Sequence, residues 1–249
     1  MSLAFLRVAL LLAAAAGVAA LVSAASGAAL SLALTPQLSA LYFIPINLFC
    51  LWVLRRHLRA RGSGLRQLAG FDRGRLGRDA LLGLVWLFVM FVPFGLALNL
   101  AMLALFGPAG MLPAYETVFA PDPSLMVEWP RWFNVASALV AALLFPVTNA
   151  PAEELVFRGH AQGELLAAGR PAWAAVLLPA ALFGAQHALL SPSAAGALVY
   201  VAAFFAWGAS AGIIYLRTRR LMPIVMAHFY TNAMFSVVPL VFLFAPVQG

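Results

Sequence analysis

The stretch AEELVFRGH, residues Ala152–His160, places two adjacent glutamates, Glu153 and Glu154, and an arginine, Arg158, in an otherwise apolar part of the chain. Only eight acidic residues occur among the 249, so two neighbours inside a hydrophobic segment depart strongly from the background. A charged side chain at the centre of a membrane helix costs roughly 2.5–3.5 kcal/mol on insertion scales. The pair therefore indicates a functional site inside a membrane protein.

Composition defines the class of protein around this stretch. Apolar residues make up 64% of the chain, charged residues make up 9%, and the mean hydropathy is +0.97. These values predict an all-α fold, a polytopic transmembrane bundle of about seven helices that forms a single membrane domain over 1–249. Within it, 1–133 would hold N-terminal helices and an outer loop, and 134–245 the helices that carry this stretch and two further polar motifs. The apolar stretches long enough to span a bilayer are 8–34, 38–54, 80–106, 134–150, 171–190, 195–216 and 221–245.

Arginine placement predicts the orientation. All fifteen basic residues are arginine, and a cytoplasmic N-terminus puts fourteen of them in inner segments and only Arg131 in an outer one. That asymmetry, which counts Arg7 and the basic 55–79 loop as inner, agrees with the positive-inside rule. The net charge of +7 then reflects topology and anionic lipid headgroups, and nucleic acid is not expected as a partner. The first segment also resembles a signal peptide, but its apolar run reaches about residue 34, which favours a retained helix.

Spacing predicts that three polar motifs meet. The turn at Gly169–Pro171 lies sixteen residues after Glu153 and sixteen before His187, so a helical hairpin brings these two side chains to one level, about 24 Å from the turn. His228 lies eight residues beyond Arg220, or about 12 Å from the same side. We therefore expect the motifs to converge in the cytoplasmic half of the bilayer. The Pro-rich outer loop, 107–133, is either a short lid or a connection.

The two glutamates are expected to differ. Glu154 and Arg158 are four residues apart and can form a buried ion pair that fixes the helix face. Glu153 points about 100° away on an α-helix, which leaves it as the freer carboxylate and a candidate general base. His160, further along the same segment, is interpreted as an interfacial residue without a catalytic role.

Two later motifs supply the remaining polar groups. Phe183 and His187 are four residues apart on one helix, and His228 and Asn232 are four apart on another. A carboxylate, two imidazoles and an amide at one depth can activate water and stabilise an oxyanion. The residues leave a second possibility open, because Glu153, His187 and His228 could also form a carboxylate–histidine zinc triad. The usual zinc-protease helix HExxH is absent from the sequence.

The motifs EExxxR, FxxxH and HxxxN occur here complete and in order on separate apolar segments. In this form the chain resembles the CPBP family of intramembrane proteases, which includes the type II CAAX prenyl endopeptidases and the bacterial Abi proteins. The resemblance covers about residues 135–242. It implies an enzyme of the hydrolase class, an intramembrane peptidase that cleaves a membrane-associated protein or peptide.

The resemblance also implies a role for each motif residue. Glu153 would be the general base and would activate water together with His187. His228 and Asn232 would stabilise the oxyanion. The supporting residues Glu154, Arg158 and Phe183 would hold the site in shape, and the mechanism would need no metal, with zinc as the alternative cofactor.

Two other function classes fit the same buried polar residues. A transporter or proton pathway would also place ionisable groups inside a bundle, although the duplicated halves typical of transporters are not visible. A non-catalytic immunity protein on the same fold is the third possibility. The Ala- and Arg-rich, lysine-free composition suggests a bacterial gene, so the expected location is the inner membrane, and the expected partners are the lipid bilayer and a peptide substrate.

Overall fold

A computed structural model describes residues 1–27, 30, 32, 36–119 and 127–244. Helix makes up 88% of it, and the described residues contain no strand, so the predicted all-α fold is confirmed. The α-helices are α1 Ser2–Ser26, α2 Pro36–Ala60, α3 Leu65–Ala69, α4 Leu76–Val118, α5 Arg131–Glu153, α6 Gly163–Ala167, α7 Ala172–His187, α8 Ala194–Thr218 and α9 Met222–Phe244. A π-helix, Glu154–Gln162, joins α5 to α6.

Six segments are long and apolar enough to cross a bilayer, and α9 contributes a further apolar helix over Met222–Val238. The predicted number of about seven helices therefore holds for the described residues. The first predicted segment, 8–34, corresponds to α1, which starts earlier and ends at Ser26, where Gly27 adopts a left-handed conformation. Most of the rest of that prediction, between 28 and 34, lies outside the described residues.

The predicted outer loop is partly helical. Gly107, at φ 67° and ψ 174°, breaks α4, and Pro108 restarts it because proline is well tolerated in a first helical turn. The restarted segment folds back along the preceding turns, since the Tyr115 hydroxyl donates to Asn99 Oδ1 at 2.9 Å. Its end contacts the start of α8, where Ser193 Oγ donates to the Val118 carbonyl oxygen at 2.9 Å. Residues 108–118 therefore cover the far end of the bundle, opposite the arginine-rich end that holds 55–78, Arg170 and 217–220.

The π-helix was not predicted. Pro146 and Pro151 lie inside α5 and lack the N–H groups that α-helical hydrogen bonds require, and the chain adopts the wider π geometry directly after the second proline. Every residue from Glu154 to Gln162 is buried, whereas residues 167–170, further along the chain, are exposed.

Small residues bring α7 and α8 close together. A Cβ on Gly184 would lie 2.7 Å from the Val201 carbonyl oxygen, and one on Gly208 would lie 3.2 Å from Ala180. Close backbone approach between glycines and alanines is a common way to pack helices in a membrane. It places the end of α7, which carries the FxxxH motif, directly against α8. Helix α5 packs between α2 and α9, so three motif-bearing helices surround one space.

Candidate active site

The three motifs meet, as the spacing predicts. Glu153 is the last residue of α5, and its Oε2 lies 3.5 Å from Nε2 of His228 on α9. The rings of Phe183 and His187, at the end of α7, have centroids 4.6 Å apart, and the Phe183 ring lies 6.0 Å from that of His228. Asn232 lies one turn beyond His228 and is buried with it. All five side chains contribute to one buried cluster.

A cavity of about 500 Å³ opens beside this cluster. Glu153, His187, His228 and Asn232 line it, whereas Glu154 and Arg158 are not among its lining residues. The wall continues through Ser39 on α2 and Tyr115 on α4, so the space extends from the motifs toward the far end of the bundle. Much of the wall is aromatic, formed among others by Phe91, Phe94, Phe145, Phe204 and Trp207.

Glu153 is not the freer carboxylate that the sequence predicts. Its Oε1 accepts a hydrogen bond from Arg7 Nη2 at 2.7 Å and another from Gln186 Nε2 at 2.7 Å. Arg7 and Glu153 are both fully buried, so this is an ion pair inside the bundle, formed between residues 146 positions apart. Only the second oxygen, Oε2, lacks a hydrogen-bond partner among the described residues. One carboxylate oxygen is therefore fixed, and the other is free beside the cavity.

Arg7 has further partners that hold it in place. Its guanidinium donates to Asn47 Oδ1 at 2.6 Å, to Asn149 Oδ1 at 3.2 Å and to Gln186 Oε1 at 3.2 Å. Asn47 Nδ2 also donates to Asn149 Oδ1 at 3.1 Å. This network joins α1, α2, α5 and α7 around one carboxylate. Arg7 is thus a buried residue of the site, whereas the sequence predicts a charge in an inner, cytoplasmic segment.

The sequence contains signals for each residue of this network, but each signal alone is weak. Arg7 is a lone charge in an apolar helix, which is by default a candidate functional residue. Asn149 precedes Glu153 by four residues and so lies on the same helix face, and Gln186 precedes His187 directly. Asn47 is a lone amide in a predicted span. None of these features predicts which partner each residue meets.

The predicted pair of Glu154 and Arg158 is present. Arg158 Nη1 donates to Glu154 Oε1 at 3.0 Å, and both side chains are buried. The guanidinium carbon of Arg158 lies 4.3 Å from the centroid of the Phe183 ring, an additional cation–π contact. The same Glu154 oxygen lies 2.7 Å from Nδ1 of His228. His228 therefore has a carboxylate on each side, Glu154 at Nδ1 and Glu153 at Nε2.

His187 is fixed by two contacts. Its Nδ1 lies 2.6 Å from the Phe183 carbonyl oxygen, and its ring stacks on Phe204 at a centroid distance of 3.6 Å. A carbonyl oxygen can only accept, so Nδ1 carries the hydrogen and Nε2 is left with a lone pair. The imidazole is held with its basic nitrogen available.

Two predictions about histidines and metals can be compared with this geometry. His160 is not among the cavity residues; it lies at the arginine-rich end, with its ring 5.1 Å from that of His57. In the alternative zinc triad of Glu153, His187 and His228, one carboxylate oxygen is already paired with a guanidinium. The two imidazoles and the second carboxylate oxygen could still bind zinc, so whether the site needs a metal stays a prediction.

A fixed carboxylate, two oriented imidazoles and an amide around a cavity in a bundle of membrane-spanning helices define a buried polar site in a multi-pass integral membrane protein. Residues 134–234 match the family model described as type II CAAX prenyl endopeptidase Rce1-like. This match supports the resemblance to the CPBP family of intramembrane proteases over that segment, which is less than half of the chain. Searches of the curated proteins and of the solved structures found no match to this chain.

The matched segment contains all seven motif residues and runs from the start of α5 to the middle of α9. The family implies a protease, a CAAX-protease-like intramembrane endopeptidase that works in a lipid bilayer on a peptide substrate. Arg7 and Asn47, which hold Glu153, lie outside the match.

Proposed function

We propose that this protein hydrolyses a peptide bond in a membrane-associated protein or peptide by a glutamate-dependent mechanism. One observation carries the proposal: the Oε2 atom of Glu153 and the Nδ2 atom of Asn232 are both buried, both lack a hydrogen-bond partner among the described residues, and both belong to side chains that line the same cavity. Buried polar atoms without partners are rare and call for an explanation. An acceptor for a water proton and a donor for an oxyanion are the two groups that peptide hydrolysis needs.

The chemistry uses these groups in sequence. Glu153 Oε2 takes a proton from a water molecule, and the lone pair on His187 Nε2 helps to orient that water. The oxygen of the water attacks the peptide carbonyl carbon, and the carbonyl oxygen becomes an oxyanion. Asn232 Nδ2 donates a hydrogen bond to this oxyanion, and His228 does so through Nε2–H when both of its ring nitrogens carry hydrogen, since Nδ1 already donates to Glu154 Oε1. The proton on Glu153 then passes to the leaving amine as the C–N bond breaks.

Arg7 and Gln186 act as positioning residues in this scheme. Their hydrogen bonds to Oε1 fix the carboxylate plane and leave Oε2 directed at the cavity. The guanidinium also balances the negative charge of a fully buried glutamate, which would otherwise be costly to bury. A signal peptide cleaved after α1 would remove Arg7 from the site, so we propose that α1 is retained.

The cavity wall suggests the substrate class. A volume of about 500 Å³ is typical of a pocket for a small ligand or a few side chains, and the aromatic wall favours apolar groups. An unwound apolar segment of a membrane protein or peptide fits these properties, and they do not require a prenyl group.

We propose that the protein lies in a bacterial inner membrane with its N-terminus and its arginine-rich end in the cytoplasm. Single cysteines at Gln67 and Ala109, both exposed, test this orientation once Cys50 is replaced by serine. An impermeant thiol reagent added to intact cells should label the cysteine at 109 and leave the one at 67 unlabelled. The reverse pattern would invert the orientation.

The experiment that tests the function compares the membrane proteomes of cells with the wild type and with the Glu153→Gln variant. At least one membrane protein should accumulate uncleaved in the variant, and purified wild-type enzyme should cleave it in vesicles. The family match does not favour transport or a non-catalytic immunity role. Identical proteomes, together with protection against a peptide toxin in both strains, would support the immunity role and contradict hydrolysis.

A further inference from the structure

The arginine-rich end holds a second group of potential ligands, separate from the cavity. His57 lies at the end of α2, His160 in the π-helix and Glu164 in α6. One ligand atom from each residue lies within 4.8 Å of the other two. His57 Nε2 is 3.9 Å from Glu164 Oε1, and His160 Nδ1 is 4.0 Å from the same oxygen. No step of the proposed peptide hydrolysis uses any of the three.

The details of this group favour a ligand. His57 Nε2 is a buried atom that has no hydrogen-bond partner within the described part of the chain, although the side chain as a whole is 38% exposed. The two imidazole rings meet edge to face, with centroids 5.1 Å apart, so both are held near the carboxylate. An imidazole nitrogen without a hydrogen-bond partner, close to a second imidazole and a carboxylate, is a set of donors that suits a metal ion.

We propose that His57, His160 and Glu164 bind a divalent transition metal of the zinc class. Two imidazoles and one carboxylate form a common three-residue zinc ligand set, and a water molecule completes the tetrahedron. Zinc–ligand bonds of about 2.0–2.2 Å require donor atoms closer together than 3.9–4.0 Å, so the side chains close around the metal by small rotations.

An arginine competes with the metal at this site. Arg61 donates to Glu164 Oε1, the same oxygen that faces both histidines. A bound metal has to share Glu164 Oε1 with Arg61 or displace Arg61 from it, so the ion pair weakens metal binding. Removal of the Arg61 charge should tighten metal binding, whereas removal of either histidine should weaken it.

The site would have a structural consequence. It links the end of α2 to the π-helix that begins with Glu154, so an occupied site ties the motif-bearing segment to the amino-terminal half of the bundle. An occupied site also bears on whether the active site contains a metal, because zinc that copurifies with this protein can come from the arginine-rich end. The total zinc content alone would then not identify a catalytic metal.

Titration of purified, chelator-stripped protein with ZnCl₂ tests the proposal, with the melting temperature as the readout. CoCl₂ provides a second probe, because its visible absorption reports tetrahedral nitrogen and oxygen ligands. The wild type should show a zinc-dependent rise in melting temperature, His57→Ala and His160→Ala should each weaken zinc binding at least tenfold, and Arg61→Gln should strengthen it several-fold. His57 is partly exposed, so its variant should fold even if the His160 variant does not.

The matched control is His187→Ala, which removes a histidine from the cavity and should leave zinc binding unchanged. Zinc binding that survives both His57→Ala and His160→Ala, or that disappears in His187→Ala, would overturn the proposal. Absence of any response up to millimolar zinc would overturn it as well. None of these outcomes depends on the proteolytic activity.

Discussion

The site contains two buried arginine–glutamate pairs, one on each side of His228. Arg7 pairs with Glu153 at 2.7 Å, and Arg158 pairs with Glu154 at 3.0 Å. The second pair is local, with partners four residues apart, whereas the first joins residues 146 positions apart. Both pairs are nearly inaccessible to solvent.

The pairs differ in what lies beside them. Glu153 lines the cavity and has its free oxygen there, whereas Glu154 and Arg158 are not among the lining residues and pack against Phe183 and His228. Equal burial and equal pairing therefore do not make the two glutamates equivalent. On the ground of access to the cavity, we propose reaction chemistry for Glu153 and a supporting role for Glu154.

The strongest test of the pairs is to remove one arginine at a time. Arg7→Met and Arg158→Met should each destabilise the protein by about 3–5 kcal/mol, because each leaves a buried carboxylate without its counter-charge. Thermal unfolding in detergent measures the loss. The double variant Arg7→Met/Glu153→Gln should recover most of it; a double variant as unstable as Arg7→Met alone would mean that the two side chains are not an ion pair.

Substitution of Asn232 tests whether its side-chain amide stabilises the oxyanion. Asn232→Ala should lower turnover by about 10²–10³-fold, the scale for the loss of one oxyanion donor, and should leave stability nearly unchanged because Nδ2 has no partner to lose among the described residues. The matched control is Thr231→Ala, since Thr231 also lines the cavity but its hydroxyl already bonds the Ala227 carbonyl oxygen at 3.2 Å. Equal losses in both variants would argue against a specific role for Asn232.

Arg7→Lys separates charge from geometry. Lysine keeps the positive charge, so the fold should survive, but an ammonium cannot reproduce the planar fork that reaches Asn47, Asn149, Gln186 and Glu153 together. We expect turnover to fall by about tenfold because the carboxylate is held less firmly. Turnover equal to that of the wild type would show that the charge alone is sufficient.

The smallest expected effect concerns metal. If Glu153 and His187 activate water directly, a strong chelator should leave the rate unchanged. The measurement should include a His57→Ala variant, so that zinc at the arginine-rich end is not counted as catalytic. One zinc per chain that remains in this variant, and that is lost together with activity on chelation, would contradict the metal-free mechanism.

The carboxyl-terminal half of the site could be predicted from the sequence. Spacings of four residues and a short hairpin are local features, and helical geometry converts them directly into shared faces and shared depth. Glu153, His187, His228 and Asn232 accordingly line one cavity, as expected.

The amino-terminal contribution could not be predicted in the same way. Arg7 lies close to the chain start, where a positive charge also fits a membrane-flanking position, and its partner Glu153 is on another helix. No local spacing relates residues 146 positions apart. The wide π-helix after Pro151 was missed because the sequence was interpreted with α-helical periodicity throughout.

The most direct test of the account compares Glu153→Gln and Glu154→Gln, assayed on a substrate identified by proteomics, at a temperature where both are folded. Both variants should melt below the wild type, because each leaves a buried arginine, Arg7 or Arg158, without its counter-charge. Each folded Glu153→Gln molecule should lose about 10²–10⁴-fold in turnover, the contribution of a general base, whereas each folded Glu154→Gln molecule should still cleave. A folded but inactive Glu154→Gln beside an active Glu153→Gln would contradict the assignment of the base to Glu153.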